Sequence, residues 1–304
     1  RLLMMGIKAV AFWWIRRWRT SAKGGIKYLR DMAPFSFRLL ATDLINAIYN
    51  NVAQLFIGKI YSTTTLGYFS QAQKLKDLPV TSTVQAVQGV TYPALSQLTD
   101  EDDKFSEGYL RIMRLVGFIL FPAMLGLVAV APEMFALLLG DKWMPTVPYF
   151  RILALTGLLY PLSAVAYNIL KVRSDGGIIL RLEVAKRVVM TLILIYTIPQ
   201  GVEPIAWGMA AMALVEFVIN CGAAQRYQRA SFGALLRALA PQMLLAAAMF
   251  GLLHLLDAHL AHLTLGLRLI TDVAIGVAFY ALGSLLFRLR AVRETIDILR
   301  TLRK

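Results

Sequence analysis

The feature that most constrains this chain is a recurring pattern in which stretches of roughly 20 residues with little charge alternate with short segments rich in lysine and arginine. About 20 consecutive apolar residues carry a helix across the hydrocarbon of a bilayer. Backbone inside that hydrocarbon must satisfy its own hydrogen bonds, which an α-helix does. Eight stretches fit: Pro34–Gly58, Gly67–Leu98, Ile112–Val130, Pro148–Leu170, Val184–Ile198, Pro204–Gly222, Pro241–Leu256 and Leu267–Phe287. The links Tyr61–Thr65, Thr99–Tyr109, Lys171–Gly177 and Pro199–Glu203 are brief and polar, and none is long enough to fold alone. The expected fold is therefore all-α, a polytopic transmembrane bundle of about eight full spans. Composition agrees, with 58% of residues hydrophobic and 16% charged, against roughly a quarter charged in soluble domains. An ordinary water-soluble enzyme is excluded on that ground. Ahead of the first span, an apolar stretch interrupted by Lys8 ends in Trp13, Trp14 and Ile15 before Arg16. It is too short for a span and has no small-residue cleavage site, so it is expected to be the end of a truncated helix.

The 32 lysines and arginines outnumber the 18 acids and give a net charge of +14. In a soluble protein that excess points to nucleic acid; here its position assigns it to topology instead. If Arg16–Arg30 is cytoplasmic, alternation puts Lys104–Arg114, Lys171–Arg187, Arg226–Arg237 and Arg288–Lys304 on the same side, and these regions hold 23 basic residues. The opposite side holds 4, namely Lys59, Lys142, Arg151 and Arg268. This is the asymmetry of the positive-inside rule, and it places the C-terminus in the cytoplasm with no nucleic-acid partner. Trp13, Trp14 and Trp18 on the inner side, and Trp143 and Trp207 on the outer, suit interfacial anchoring.

Material for chemistry is scarce. The single cysteine, Cys221, rules out an internal disulfide, and only three histidines are present. His254, His259 and His262 with Asp257 form a cluster whose spacing does not align the three imidazoles on one helical face, so it reads as a wet loop. No glycine-rich phosphate loop, nucleophile elbow or catalytic carboxylate pair appears. A non-enzyme without cofactor or metal is expected. Asp272 and Glu216 stand as single acids in apolar helices, either proton sites or partnered by polar neighbours. Pro79, Pro93, Pro122 and Pro161 fall inside spans, where each removes a backbone donor.

The first two full spans are unlike the rest. The first carries Arg38, Asp43, Asn46, Asn50, Asn51 and Gln54; the second carries Gln71, Gln73, Lys74, Lys76, Asp77 and Gln85 among others. A charge at mid-bilayer costs at least ~2.5 kcal/mol, so helices with this many polar groups cannot face lipid all round. Asn46, Asn50 and Gln54 fall on one helical stripe, as do Gln73, Lys76 and Asp77, with Lys74 offset. Two readings stay open: a hydrophilic cavity with cations for an anionic ligand, or lysines that snorkel or pair with Asp77.

Residues Leu66–Leu98, LGYFSQAQKLKDLPVTSTVQAVQGVTYPALSQL, together with LFIGK at Leu55–Lys59 and GDKWMPTVPYFRIL at Gly140–Leu153, resemble the polysaccharide transporter branch of the multidrug, oligosaccharidyl-lipid and polysaccharide flippase superfamily. The nearest likeness is to Wzx-type flippases, including colanic acid and teichuronic acid exporters. The resemblance implies two six-helix lobes around a central cavity that opens alternately to each side. This chain would supply the end of a truncated helix and a cytoplasmic linker (1–33), a MATE/MurJ-like second lobe (34–223), and two extra helices with a basic cytoplasmic tail (224–304). It further implies a bacterial cytoplasmic-membrane flippase for polyprenyl-pyrophosphate-linked oligosaccharides, serving lipopolysaccharide or other cell-surface polysaccharide synthesis. Its partners would be the lipid-linked oligosaccharide, membrane lipids, a polymerase and glycosyltransferases, with coupling to H+ or Na+. On this view Arg38, Lys74 and Lys76 hold the pyrophosphate. Asp43, Asn46, Asn50, Asn51, Gln54, Gln73, Asp77 and Gln85 would line the cavity. Two positions depart from the family pattern: Gln71 stands where relatives often have arginine, and Ala53 where many have aspartate. A membrane glycosyltransferase or ligase, and a multidrug exporter of the same superfamily, are the alternatives.

Overall fold

A computed structural model describes residues 2–16, 49, 51–97, 102–174, 177–260 and 262–302. The chain divides into two compact units, Arg1–Val52 and Ala53–Lys304. The first contains α1, Leu2–Arg16, the helix expected at the start of the chain.

In the larger unit every described element is helical. After α2, residues 51–60, come α3 (Thr63–Gln97), α4 (Asp102–Ala129), α5 (Ala131–Leu139), α6 (Val147–Arg173), α7 (Gly177–Thr197), α8 (Val202–Ala224), α9 (Phe232–Leu260), α10 (Leu265–Leu286) and α11 (Arg290–Leu302). Short links make α3 and α4, α7 and α8, and α9 and α10 antiparallel neighbours. Among the described residues five helices are long and apolar enough to cross a membrane: Asp103–Ala129, Asp141–Arg173, Val202–Ala224, Phe232–Asp257 and Leu265–Leu286. The chain is thus an all-α, multi-pass membrane protein. Of the other three expected spans, Pro34–Gly58 falls largely outside the described residues, while α3 and α7 are long enough but too polar to meet that standard, α7 through its four charges at Arg181, Glu183, Lys186 and Arg187.

The central helix is α6, whose span is 72% buried, whereas the α9 and α10 spans are 33% and 22% buried. Around it sit α3, α4 and α8; α7 lies on α8, α9 on α4, and α10 on α9. Since lipid is as apolar as leucine, such helices associate by close packing more than by hydrophobic exclusion. Small residues allow it: a Cβ on Gly157 of α6 would stand 2.5 Å from Met124 and 2.9 Å from Val80. One on Gly283 of α10 would stand 2.7 Å from Leu245 of α9.

Three sequence expectations change in detail. The link expected at Lys171–Gly177 is shorter, since α6 runs to Arg173 and α7 starts at Gly177, so the span expected from Val184 begins earlier and takes in Arg181 and Glu183 along with Lys186 and Arg187. The acidic run Asp100–Asp103 of the Thr99–Tyr109 link, expected from sequence as a solvated turn, ends on α4, where Asp103 meets Arg229 at 2.8 Å and Ser106 accepts the Arg229 backbone N–H at 2.8 Å. With Arg173 stacked 3.8 Å over Phe105 and bonded to the Tyr227 carbonyl, these groups tie α4, α6 and the α8–α9 turn together at one end. The basic tail is also ordered, as the amphipathic α11, and Arg114 of α4 grips its Glu294 at 2.5 and 3.0 Å.

Candidate functional site

The polar residues of α3 fall on two faces with different fates. Phe69, Ala72, Lys76, Val80 and Val84 are buried and share the stripe that meets α6. Lys76 survives there, 8% exposed, because its ammonium lies 2.7 Å from Asp77; a buried ammonium needs such a partner. The opposite stripe, Lys74, Leu78, Thr81, Ser82 and Gln85, is exposed. Ser82 and Thr83 return their hydroxyls to the carbonyls of Leu78 and Pro79 at 3.0 and 2.8 Å. Those side-chain bonds partly quiet a segment whose proline lacks an N–H.

Not all of the expected site can be placed. Arg38, Asp43, Asn46 and Asn50 lie outside the described residues. Asn51 is helical and exposed. Gln54 and Gln73 are brought together across α2 and α3, Nε2 to Oε1 at 2.7 Å. Lys74 and Lys76 are set on opposite faces, and Gln85 lies on the exposed face with Lys74.

A second charged group completes the tract, and of its members sequence patterning singled out Glu216 alone. On α7, Lys186 is 4% exposed and sits 2.5 Å from Glu183, whose other oxygen is 3.5 Å from Arg187. The Lys186 ammonium reaches Asn220 of α8 at 3.5 Å, and the Asn220 amide donates to Ser163 of α6 at 2.8 Å. Tyr167 of α6 bonds Glu183 and offers its ring face to Lys186 at 5.2 Å and to Lys171 at 4.9 Å. Glu216, one turn before Asn220, faces the charges of Lys186, Arg187 and Glu183. Tyr160 of α6 feels the charges of Glu216 and Glu183 on one side and of Asp77 on α3. The tract therefore crosses from α3 through α6 to α8 and α7, with Lys76, Lys186 and Arg187 balanced by Asp77, Glu183 and Glu216. The signal available in the sequence was Glu183–Lys186–Arg187 at helical spacing beside an apolar run. In the sequence, Lys186 and Arg187 count only among the basic residues that orient the spans.

At the far end of the bundle from α11, Arg268 of α10 bridges Glu133 of α5, at 2.9 Å, and Asp257 of α9. Asp272, one turn further along α10, is buried, with Oδ1 lacking a partner among the described residues. His254 stacks on Phe250. Among the described residues, no group of three or more His, Cys, Asp or Glu is placed to hold a metal ion.

Comparison with known proteins agrees with this architecture. A family described as polysaccharide biosynthesis protein matches residues 1–148. The teichuronic acid biosynthesis protein TuaB of Bacillus subtilis is 22% identical over 72% of this chain and 46% of its own length. The lipopolysaccharide biosynthesis protein WzxC of Escherichia coli is 28% identical over 43% of this chain and 27% of its own. The succinoglycan biosynthesis transport protein ExoT of Rhizobium meliloti is 26% identical over 88% of this chain and 55% of its own. The chain thus spans about half the length, or less, of these relatives. The solved structure of the lipid II flippase MurJ in an inward closed conformation superposes with a TM-score of 0.67 at 12% identity, over 89% of this chain and 56% of that one. By sequence the chain is a relative of polysaccharide biosynthesis proteins, and by fold it is a membrane helical bundle similar to a little over half of a MurJ flippase.

Proposed function

We propose that this chain is part of a flippase that carries polyprenyl-pyrophosphate-linked oligosaccharides across the bacterial cytoplasmic membrane by alternating access, for cell-surface polysaccharide synthesis. The observation that carries this reading is the exposed face of α3. Exposed positions on α10 include Leu267, Ile270, Val273, Val277, Leu282, Leu285 and Leu286, and on α7 they include Val184, Val188, Leu192 and Ile195, as lipid contact demands. On α3 the exposed stripe is Lys74, Thr81, Ser82 and Gln85, with Leu78 the one large hydrophobe on it among the described residues. Such a face at membrane depth needs water or another protein element opposite it.

In this proposal Lys74, with Arg38, holds the pyrophosphate, since Lys74 has no ion-pair partner among the described residues. Lys76 is engaged by Asp77, and a phosphate could reach it only by displacing that carboxylate. Gln85, Gln73, Gln54 and the asparagines of the preceding span meet sugar and water. Residues 34–223 act as one rocking lobe, 224–304 add two helices and a cytoplasmic tail, and an H+ or Na+ gradient drives the cycle. Relatives named for polysaccharide biosynthesis and transport, and the likeness to a lipid II flippase, support the substrate class.

The test is polymer export from cells whose own copy carries Lys74→Gln. A charge-assisted contact is worth about 1.5–3 kcal/mol, so export falls by roughly tenfold or more at unchanged membrane levels of the protein. Unimpaired export would remove Lys74 from the site.

A further inference from the structure

Where α9 begins and α10 stops, a cavity of about 760 Å3 opens between these helices, α4 and the α10–α11 turn. Its rim carries Arg237, Arg288 and Arg290, all exposed. None of the three has an ion-pair or hydrogen-bond partner for its guanidinium among the described residues. A fourth arginine, Arg114, lines the wall but is committed to Glu294. The walls below the rim are hydrocarbon, chiefly Pro241, Leu244, Leu245 and Phe287, and both Leu244 and Phe287 are 69% exposed.

The turn itself is shaped against backbone preference. Leu289 N–H bonds the Ser284 carbonyl at 3.0 Å and Arg288 N–H bonds the Leu285 carbonyl at 3.1 Å, which closes a Schellman cap with Arg288 at its left-handed position, φ +48°. Glycine is the usual residue there, and other residues occupy it against steric repulsion. An arginine held in that conformation supplies something the turn alone does not need.

We propose that this cavity binds an anionic phospholipid of the bilayer. Arg237, Arg288 and Arg290 take the phosphate, and the acyl chains lie along Leu244 and Phe287. Three uncompensated cations over an apolar wall fit a ligand that is anionic at one end and hydrocarbon at the other. A soluble anion would leave the wall against water, and a zwitterionic lipid would bring a further cation to the rim. Occupied in this way, the site pins α9, α10 and α11 to one leaflet.

The test is lipid binding to the purified protein in neutral detergent, with phosphatidylglycerol and phosphatidylcholine as probes. Each arginine near a phosphate contributes about fivefold, so R237Q/R288G/R290Q weakens phosphatidylglycerol binding about a hundredfold and leaves phosphatidylcholine binding unchanged. Arg288→Gly alone loses about fivefold while its melting temperature in the absence of anionic lipid holds or rises, since glycine suits the turn. Arg237→Gln, outside the turn, checks the same loss without touching the cap. Equal phosphatidylglycerol binding by the wild type and the triple variant overturns the proposal. So does displacement of phosphatidylglycerol by equimolar inorganic phosphate, which would mark a site for free anions.

Discussion

The buried Glu183–Lys186 pair sets up a test with an ordered outcome. Lys186 is 4% exposed and has three favourable neighbours: Glu183 at 2.5 Å, Asn220 at 3.5 Å and the Tyr167 ring at 5.2 Å. Glu183 has a second cation, Arg187, at 3.5 Å, so it is not stranded when Lys186 is lost. Lys186 has no second carboxylate at bonding distance, so Glu183→Gln leaves a buried ammonium with the Asn220 oxygen, a ring face and the more distant charge of Glu216. Breaking one side of a buried pair costs about 3–5 kcal/mol, while replacing both sides is often near neutral. Glu183→Gln should therefore fall at the upper end of that range and Lys186→Met below it. The double variant should cost less than Glu183→Gln alone, with a coupling of at least ~2 kcal/mol in a double-mutant cycle. The assay is unfolding of the purified protein in mixed micelles titrated with sodium dodecyl sulfate. Additive losses, with coupling below ~0.5 kcal/mol, would refute the pairing, as would Lys186→Met costing more than Glu183→Gln.

Other consequences follow from single contacts. Gly283→Leu should part α9 from α10, because its Cβ would meet Leu245 at 2.7 Å; the cost is about 1–3 kcal/mol by thermal unfolding, and adding Leu245→Ala should recover much of it. Arg114→Ala should release α11 from α4 by removing the 2.5 and 3.0 Å contacts to Glu294. Limited proteolysis would then cut earlier around residues 287–290, and the exchanged pair Arg114→Glu/Glu294→Arg should restore resistance. Gln73→Ala should cost only about 0.6 kcal/mol in the same micelle titration, the average for hydrogen bonds between membrane helices, even though the Gln54–Gln73 contact is as short as 2.7 Å. A loss of several kcal/mol would mean that this contact anchors the two helices.

Much of the architecture was legible because a bilayer imposes length and polarity rules on the local sequence. Apolar runs between Ile112 and Phe287 became helices, and basic residues gathered at the links. The polar character of α3 was visible as well, since lysines and glutamines cannot be hidden in a run of roughly 20 apolar residues. Which way those residues turned was less legible. Helical spacing separates Lys74 from Lys76, yet only the packing of α3 on α6 decides that Lys76 is buried and paired while Lys74 is exposed.

What the sequence by itself determined was the class of molecule: helical, multi-pass and charge-sided, because those properties depend on composition within a window. What the tertiary structure alone decided was which polar groups meet. Glu183 and Lys186 share one helix, but Asn220 and Ser163 are separated from them by whole spans, and no periodicity announces that the four converge. The same holds for the three arginines around the α10–α11 turn. Their charges could be counted from the chain, but a cavity with a cationic rim exists only once α9, α10 and α11 are packed together, because electrostatic fit depends on distance in space rather than along the sequence.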